Sequence, residues 1–550
     1  MSMASDHESY GNDRGSSALN EPQLEDNRGV YSTEDANLKR SLQGRHIQFI
    51  ALGGSIGTGL FIGSGSPLAD GGPGSLIVGF LTISILVITV VFALGELASV
   101  LPVTGAFSTY STRFIDPSWG FAMGWVYWIG WITPLPLESI AAAMVIQYWD
   151  PHVKIPSGVW VAISLVIIAF INLFGVRGYG EFEFAASFIK VLGCIGFIIC
   201  AIVINCGGSP SGQYMGAHTW HLAGGAFQNG FKGFCSVFTT AAFAFAGTEL
   251  VGLAAAETAD ARRQLPRACK QVVFRVLLFY ILSLFMVSLI VPYDDPRLQG
   301  GDYDTRTSPF VIAIKIGAIK VLPDIFNAII LISTLSVGNA SVYASSRTLL
   351  ALAMHDQAPK IFTYVDRNGR PLPAVLLALL LGPLGFLIYS STEVEIFNWF
   401  VSLAGFNSIF AWISICWAHI RFRAAWKREG NTLRQLPWAS PLGIIGSYVG
   451  FVFNLLVIIG TFYVSAFPIG EGEMTPKRRA HDFFLGMISL IFVIVLYLGH
   501  KFWTRSRFVR LEDFDIHSGR RDPVSEEVLE QERAEARQQS WWSKVMTFIF

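Results

Sequence analysis

Charge is scarce in this chain. Of its 550 residues only 15% are Asp, Glu, Lys or Arg, with 40 of each sign and a formal net charge of zero. Such a composition excludes a protein that water solvates over most of its surface. The basic residues alternate with apolar runs instead of gathering in a patch, which excludes nucleic acid as a partner. Cysteine is also sparse. The six cysteines, Cys194, Cys200, Cys206, Cys235, Cys269 and Cys416, include no C-x-x-C pair. Most lie in or beside apolar runs and read as helix-packing residues, with a disulfide through Cys206 or Cys235 as the alternative. The only N-x-S/T triplet, Asn339-Ala340-Ser341, lies inside an apolar run beyond the reach of glycosylation. There is no phosphate-binding Walker loop, no H-E-x-x-H and no soluble domain to host a cofactor fingerprint. An enzyme is therefore not expected, nor a metal or cofactor. The first 40 or so residues lack an apolar core for a cleavable signal and read as a disordered cytoplasmic tail.

What is abundant is apolar length. Hydrophobic residues make up 52% of the chain and mean hydropathy is +0.48. A bilayer core needs roughly 20 apolar residues per spanning helix. Runs of that length fall near 46–71, 75–101, 119–148, 158–175, 182–205, 234–257, 268–292, 322–354, 371–390, 395–420, 443–467 and 481–503. The expectation is an all-α polytopic membrane protein of about twelve spans, with the lipid bilayer as its surroundings. Residues 1–40 form the first tail, 41–504 the membrane domain and 505–550 a second tail. Basic residues cluster in three alternate loops: Arg262, Arg263, Arg267 and Lys270; Lys360, Arg367 and Arg370; Arg421, Arg423, Lys427, Arg428 and Arg434. This puts those loops and both tails on the cytoplasmic side. The loop with Lys477, Arg478 and Arg479 opposes it. Acidic Asp294, Asp295, Asp302 and Asp304 mark an outer loop, followed by a short surface helix over most of 308–320. The terminal stretch Trp541 to Phe550 is too short to span and is expected to lie on the inner membrane surface.

Two spans carry interruptions. Gly53 to Gly65, GGSIGTGLFIGSG, concentrates poor helix formers within the first. A break there releases backbone groups that hydrocarbon cannot satisfy, so it must line a cavity or meet a ligand. The half-helix after Gly57 directs its amides and positive dipole end at an anion, drawing in Ser55, Gly57, Thr58 and Gly59. Close packing through small residues is the competing reading. The second interruption, Phe243-Ala244-Phe245-Ala246-Gly247-Thr248-Glu249, follows about five spans later, the placement expected of an inverted repeat. Its unwound carbonyls suit a cation. Together the breaks describe the two ends of a zwitterion such as an amino acid.

At these residues the chain resembles the fungal amino-acid permeases of the amino acid, polyamine and organocation superfamily, and is general amino-acid permease-like. The run Leu42 to Gly65, Gly95-Glu96-Leu97-Ala98 to Gly105, F-x-G-x-E at Phe245 to Glu249, Ser333 to Met354 and Phe514-Asp515-Ile516-His517-Ser518-Gly519-Arg520-Arg521 carry the likeness. It runs from about Leu38 to the C-terminus. The resemblance implies twelve helices in a five-plus-five inverted repeat with helices 1 and 6 broken, working as a proton-driven importer in the plasma membrane. It favours Phe243 as a lid over the substrate. The tenth-span stretch Trp399 to Asn407, through Ser402, Phe406 and Asn407, is where side-chain choice is expected.

Ionisable residues inside a membrane are costly, and each is a functional hypothesis. Lys190 lies about 12 Å into the fifth span. The resemblance implies that this lysine takes the place of a sodium ion in relatives, while snorkelling is the alternative. Glu138, after Pro134 and Pro136, is the candidate proton carrier, or else a hydrogen-bonding group for a freed amide. Glu249 braces the second break or carries protons. Glu96 and Arg347 read as structural or inner-gate residues. The combined reading is a proton-coupled importer of neutral amino acids over a broad range. Basic amino acids as substrates, or a sensor with little flux, are the alternatives. Lys39 in the first tail is the candidate acceptor for ubiquitin-ligase machinery.

Overall fold

The computed structural model describes residues 56–540 except 104, 151, 153, 174, 255–260, 299–307, 390–392, 471, 473, 521–525 and 539. Ser55, Lys39, most of the glycine run before Gly57 and the terminal Trp541 to Phe550 lie outside the described residues. Within them the fold is helical, with one isolated bridge between Cys206 and Tyr214. A wide π-turn, Gly59–Gly63, leads into α1 (Gly65–Val100), α2 (Ala106–Phe114), α3 (Pro117–Ile132), α4 (Pro134–Gln147), α5 (Ser157–Leu173) and α6 (Gly175–Asn205). Next come α7 (Gly230–Phe245), α8 (Leu250–Ala254), α9 (Ala261–Arg275), α10 (Ser283–Ile290), α11 (Pro309–Ile316) and α12 (Leu322–Met354). The last are α13 (Leu372–Leu381), α14 (Glu393–Arg428), α15 (Gly443–Ala466), α16 (Pro476–Thr504) and α17 (Glu526–Gln538). Among the described residues, 10 helical stretches are long and apolar enough to cross a membrane. This is a multi-pass membrane protein. The described cysteines are all unpaired, with Cys235 buried and Cys206 exposed.

The apolar run over 65–100 folds sharply at Gly72, which has φ +76°, followed by Pro73. Proline removes one helical amide, and the bend frees others. The chain at 226–228 answers them: Gly74 donates to the Ala226 carbonyl at 2.8 Å, and Gln228 donates to the Gly71 carbonyl at 2.9 Å. A Cβ at Gly72 would lie 2.8 Å from that Ala226 oxygen, so only glycine fits. Between α3 and α4 the bend is mild, because Thr133 keeps helical dihedrals. Pro134 nevertheless leaves the Gly130 carbonyl without its helical donor.

One expectation is overturned. The helix within 308–320 is not a surface helix, because Phe310 to Ile314 are fully buried. Phe310 packs among Phe61, Phe197 and Phe326 with ring centroids 5.2, 4.6 and 5.8 Å away. Ser308 donates to the Phe61 carbonyl at 2.5 Å. The sequence Pro309–Ile316, PFVIAIKI, has only Lys315 as a polar side chain and therefore no face to offer water.

At the end of the bundle that carries the C-terminal segment, residues 506–518 form a strap over α2 and the end of α14. The Val509 amide donates to the Ile115 carbonyl at 2.9 Å. Arg113 and Arg428 donate to the carbonyls of Ser518 and Leu511 at 2.8 and 2.6 Å. Phe514 meets Phe114 edge to face at 5.6 Å. Beside the strap, Glu96 is fully buried and ties α1 to α14. Its Oε2 accepts from Arg423 Nη2 at 2.6 Å and from the Ser440 amide at 2.7 Å. Its Oε1 lies 2.5 Å from Arg423 Nε and 3.1 Å from His419 Nε2. Breaking a buried ion pair by removing one partner costs about 3–5 kcal/mol. Glu96→Ala is expected to lower the melting temperature of the detergent-solubilised protein sharply, and a melt equal to wild type refutes the anchoring role.

Candidate functional site

The two breaks meet at one crossing. A Cβ on Gly59 would sit 2.6 Å from Ala244 Cα, and one on Gly63 would sit 3.1 Å from the Thr240 methyl. Glycine thus lets the two backbones touch. On the first helix the described break is a widened turn. The Gly57 carbonyl accepts from both the Leu60 and Phe61 amides at 3.1 Å. Thr58 keeps helical dihedrals, and its hydroxyl donates to Glu138 Oε2.

The second break is a true interruption. After Phe245 the chain extends at Ala246 (φ −55°, ψ 139°) and turns at Gly247 with φ +99°, then resumes as α8. Glu249 folds back so that both carboxylate oxygens accept from the Gly247 amide, at 3.3 and 3.2 Å. Trp412 holds the same carboxylate through its indole N–H at 3.3 Å. Tyr280 donates to the Ala244 carbonyl at 3.0 Å. Thr248 turns inward on its own loop, its hydroxyl donating to the Phe245 carbonyl at 3.0 Å.

Beside the crossing lies a small cavity lined by Tyr127, Trp131, Phe243, Ala246, Ala404 and Asn407, with Gly130, Pro134 and Ser408 completing its walls. Asn407 is only 2% exposed, and neither its Oδ1 nor its Nδ2 has a hydrogen-bond partner. An unmet buried amide is costly and points to a ligand or water in that space. Of the residues singled out from the sequence, the cavity collects Phe243, Ala246 and Asn407. Phe245 faces away and stacks on Tyr280 with centroids 4.4 Å apart. Phe406 packs on Phe410 at 5.2 Å. Ser402 opens instead into a larger cleft with Asp70, Thr239, Glu395 and Asp482.

Lys190 does not snorkel. It is fully buried, and its Nζ donates to Ser336 Oγ at 2.8 Å. Ser336 in turn donates to Glu183 Oε1 at 2.5 Å, and Lys190 and Glu183 stand 4.0 Å apart. Glu138 is buried as well, and its Oε1 has no hydrogen-bond partner. Arg347 lies apart from these groups, its guanidinium 4.0 Å from the centre of the Tyr343 ring, which stacks on Tyr179 at 4.4 Å. Sequence reasoning missed Tyr127, Trp131, Glu183 and Ser336. The aromatics and the serine look like ordinary packing in an apolar run. Glu183 had a signal, since its spacing of two helical turns from Lys190 places both on one face of α6.

The description "amino acid permease" is that of a protein family whose sequence profile matches residues 46–512. The chain belongs to that family. This permease is 49% identical over 506 residues to the general amino-acid permease GAP2 of Candida albicans, covering 91% of this chain and 85% of the relative. It is 47% identical over 512 residues to the general amino-acid permease GAP1 of Saccharomyces cerevisiae, covering 92% and 84%. It is 47% identical over 492 residues to the cationic amino acid transporter 1 of Schizosaccharomyces pombe, covering 88% and 81%. Its relatives are transporters and not enzymes, and they support amino-acid transport by this permease. Overpacking a tight contact costs about 1–3 kcal/mol. Gly59→Ala should therefore destabilise the crossing and lower the melting temperature of the detergent-solubilised protein, with uptake falling as the two backbones are pushed apart. Gly499→Ala, where a Cβ meets nothing within 4 Å, should leave uptake unchanged.

Proposed function

We propose that this permease is a proton-coupled importer of amino acids, built on twelve spans in a five-plus-five inverted repeat with the first and sixth spans broken. The observation that carries the reading is the backbone contact of Gly59 with Ala244, which sets two broken helices side by side and next to the buried Glu138. Amides at the start of the half-helix, from Ser55 through Gly57, Thr58 and Gly59, hold the substrate carboxylate. The backbone of Ala246 and Gly247, with Thr248 and Phe245 shaping the turn, receives the ammonium group. Phe243 closes over the bound backbone.

Side-chain selection belongs to the cavity of Tyr127, Trp131, Ala404 and Asn407. No charged residue lines it, which favours neutral side chains over a broad range, and the Asn407 amide offers a donor and an acceptor to polar ones. Basic substrates are a second reading, favoured by the cleft in which Asp70, Glu395 and Asp482 outnumber the one basic lining residue, Arg478. Glu138 and Lys190 carry the coupling. Glu249, held by Gly247 and Trp412, braces the break, while Glu96 and Arg347 serve structure or gating. The tails face the cytoplasm and the protein works in the plasma membrane, with tail lysines, Lys39 among them, open to ubiquitin-ligase machinery.

The test is uptake of a panel of labelled amino acids by cells expressing the chain, with and without a protonophore. Accumulation of neutral amino acids should collapse with the protonophore, and concentrative uptake that ignores it defeats proton coupling. Lys190→Ala and Glu138→Gln should each abolish accumulation in protein that reaches the surface. Asn407→Leu should lower uptake of glutamine and asparagine relative to leucine by about tenfold, the scale of one or two lost hydrogen bonds. An unchanged preference would remove Asn407 from substrate selection.

A further inference from the structure

Three buried groups form a directed chain that the importer mechanism so far leaves half used. Lys190 Nζ–H points at Ser336 Oγ at 2.8 Å, and Ser336 Oγ–H points at Glu183 Oε1 at 2.5 Å. All three side chains are fully buried, yet Lys190 and Glu183 stand 4.0 Å apart with the hydroxyl between them. A charge-assisted hydrogen bond between the two would have a length of about 2.8 Å. Here the Ser336 hydroxyl is hydrogen-bonded to both groups. The Glu183 Oε2 atom is buried without a hydrogen-bond partner, leaving one carboxylate oxygen open to a proton or to water.

We propose that Glu183 is the exit-side proton acceptor of the transport cycle, receiving through Ser336 the proton that Lys190 gives up. The inference rests on the proton-coupled reading above. In the step, an Nζ–H bond of the Lys190 ammonium breaks as a bond forms from that proton to Ser336 Oγ. The original Oγ–H bond breaks as its proton joins Glu183 Oε1. Ammonium and carboxylate become amine and carboxylic acid, total charge is conserved, and rotation of the Ser336 hydroxyl resets the relay for the next proton. Two buried charges are exchanged for none. Burial in a low-dielectric interior penalises both charges, which favours the neutral form relative to its place in water and lets the step be drawn by the next proton movement.

Position supplies the direction. Glu183 precedes Lys190 by seven residues of α6, roughly 10 Å along the helix axis. With the tails cytoplasmic, Glu183 stands between Lys190 and the cytoplasm. Glu138, hydrogen-bonded to Thr58 at the first break and within electrostatic reach of Lys190, stands on the substrate side. A proton that arrives with substrate at Glu138 thus has Lys190 as relay and Glu183 as its way out.

The experiment uses the full-length permease in proteoliposomes with a trapped pH dye. It compares wild type with Glu183→Gln, Ser336→Ala and Ser336→Thr. Three readouts are taken: substrate-for-substrate exchange without a proton gradient, accumulation driven by a gradient, and substrate-driven proton entry. Glu183→Gln keeps the shape and the acceptor for Ser336 but takes up no proton. It should continue to exchange while losing gradient-driven accumulation and substrate-driven proton entry. Ser336→Ala should do the same, and Ser336→Thr, which restores the hydroxyl, should recover coupling. Wild-type accumulation and proton entry in both Glu183→Gln and Ser336→Ala overturn the assignment while leaving proton coupling intact. Loss of exchange in step with accumulation also overturns it, by showing a structural pair. If wild type itself shows no substrate-driven proton entry, proton coupling falls and this assignment with it.

Discussion

A backbone amide or carbonyl released inside a bilayer has no water to turn to, and the architecture of this permease follows from how each released group is answered. The fold at Gly72 and Pro73 is met by the chain at Ala226 to Gln228. The Phe61 carbonyl, at the widened turn, takes the hydroxyl of Ser308. The Ala244 carbonyl takes Tyr280, and the Gly247 amide takes the Glu249 carboxylate. All but the last of these repairs come from segments distant in sequence. They hold the widened turn at Gly59 and the end of α7 at Ala244 in contact without the regular ladder that a spanning helix would normally supply.

The same rule separates the buried charges into two kinds. Around Glu96 the ionic partners are close and several: Arg423, His419 and the Ser440 amide converge on one carboxylate. That arrangement knits α1 to α14 beneath the strap of residues 506–518 and leaves little freedom. Around Lys190 the carboxylate of Glu183 stands 4.0 Å away, with the Ser336 hydroxyl hydrogen-bonded to both. An ion pair in direct contact, as Arg423 is with Glu96, is suited to holding helices. A pair held 4.0 Å apart, as Lys190 and Glu183 are, is suited to changing its protonation during a cycle.

The spans were legible because each needs a long apolar run, and composition alone records it. The interruption within Phe243 to Glu249 and the widened turn at Gly59 to Gly63 were legible for the opposite reason, since glycine and a lone carboxylate are anomalies in such runs. Lys190, Glu138 and Glu249 stood out by their charge. The segment 308–320 misled because its length is too short to span, and shortness suggested a surface position. Its uniform apolarity, which the structure buries against Phe61 and Phe326, was the better guide. The cavity was mostly illegible. Tyr127 and Trp131 are two among many aromatics, and nothing local distinguishes a ring that faces a cavity from one that packs.

The sequence by itself determined that the chain spans a membrane, that a helix breaks within Phe243 to Glu249 and that Lys190, Glu138 and Glu249 stand inside apolar runs. Each of these is a local violation of, or compliance with, the demands of hydrocarbon. Tertiary structure decided which of those residues meet. It turned Phe243 toward the cavity and Phe245 onto Tyr280, it gave Asn407 an unmet amide, and it set Ser336 between Lys190 and Glu183. Helix rotation and crossing fix these pairings, and they depend on side-chain packing over the whole bundle, which no local stretch of sequence encodes.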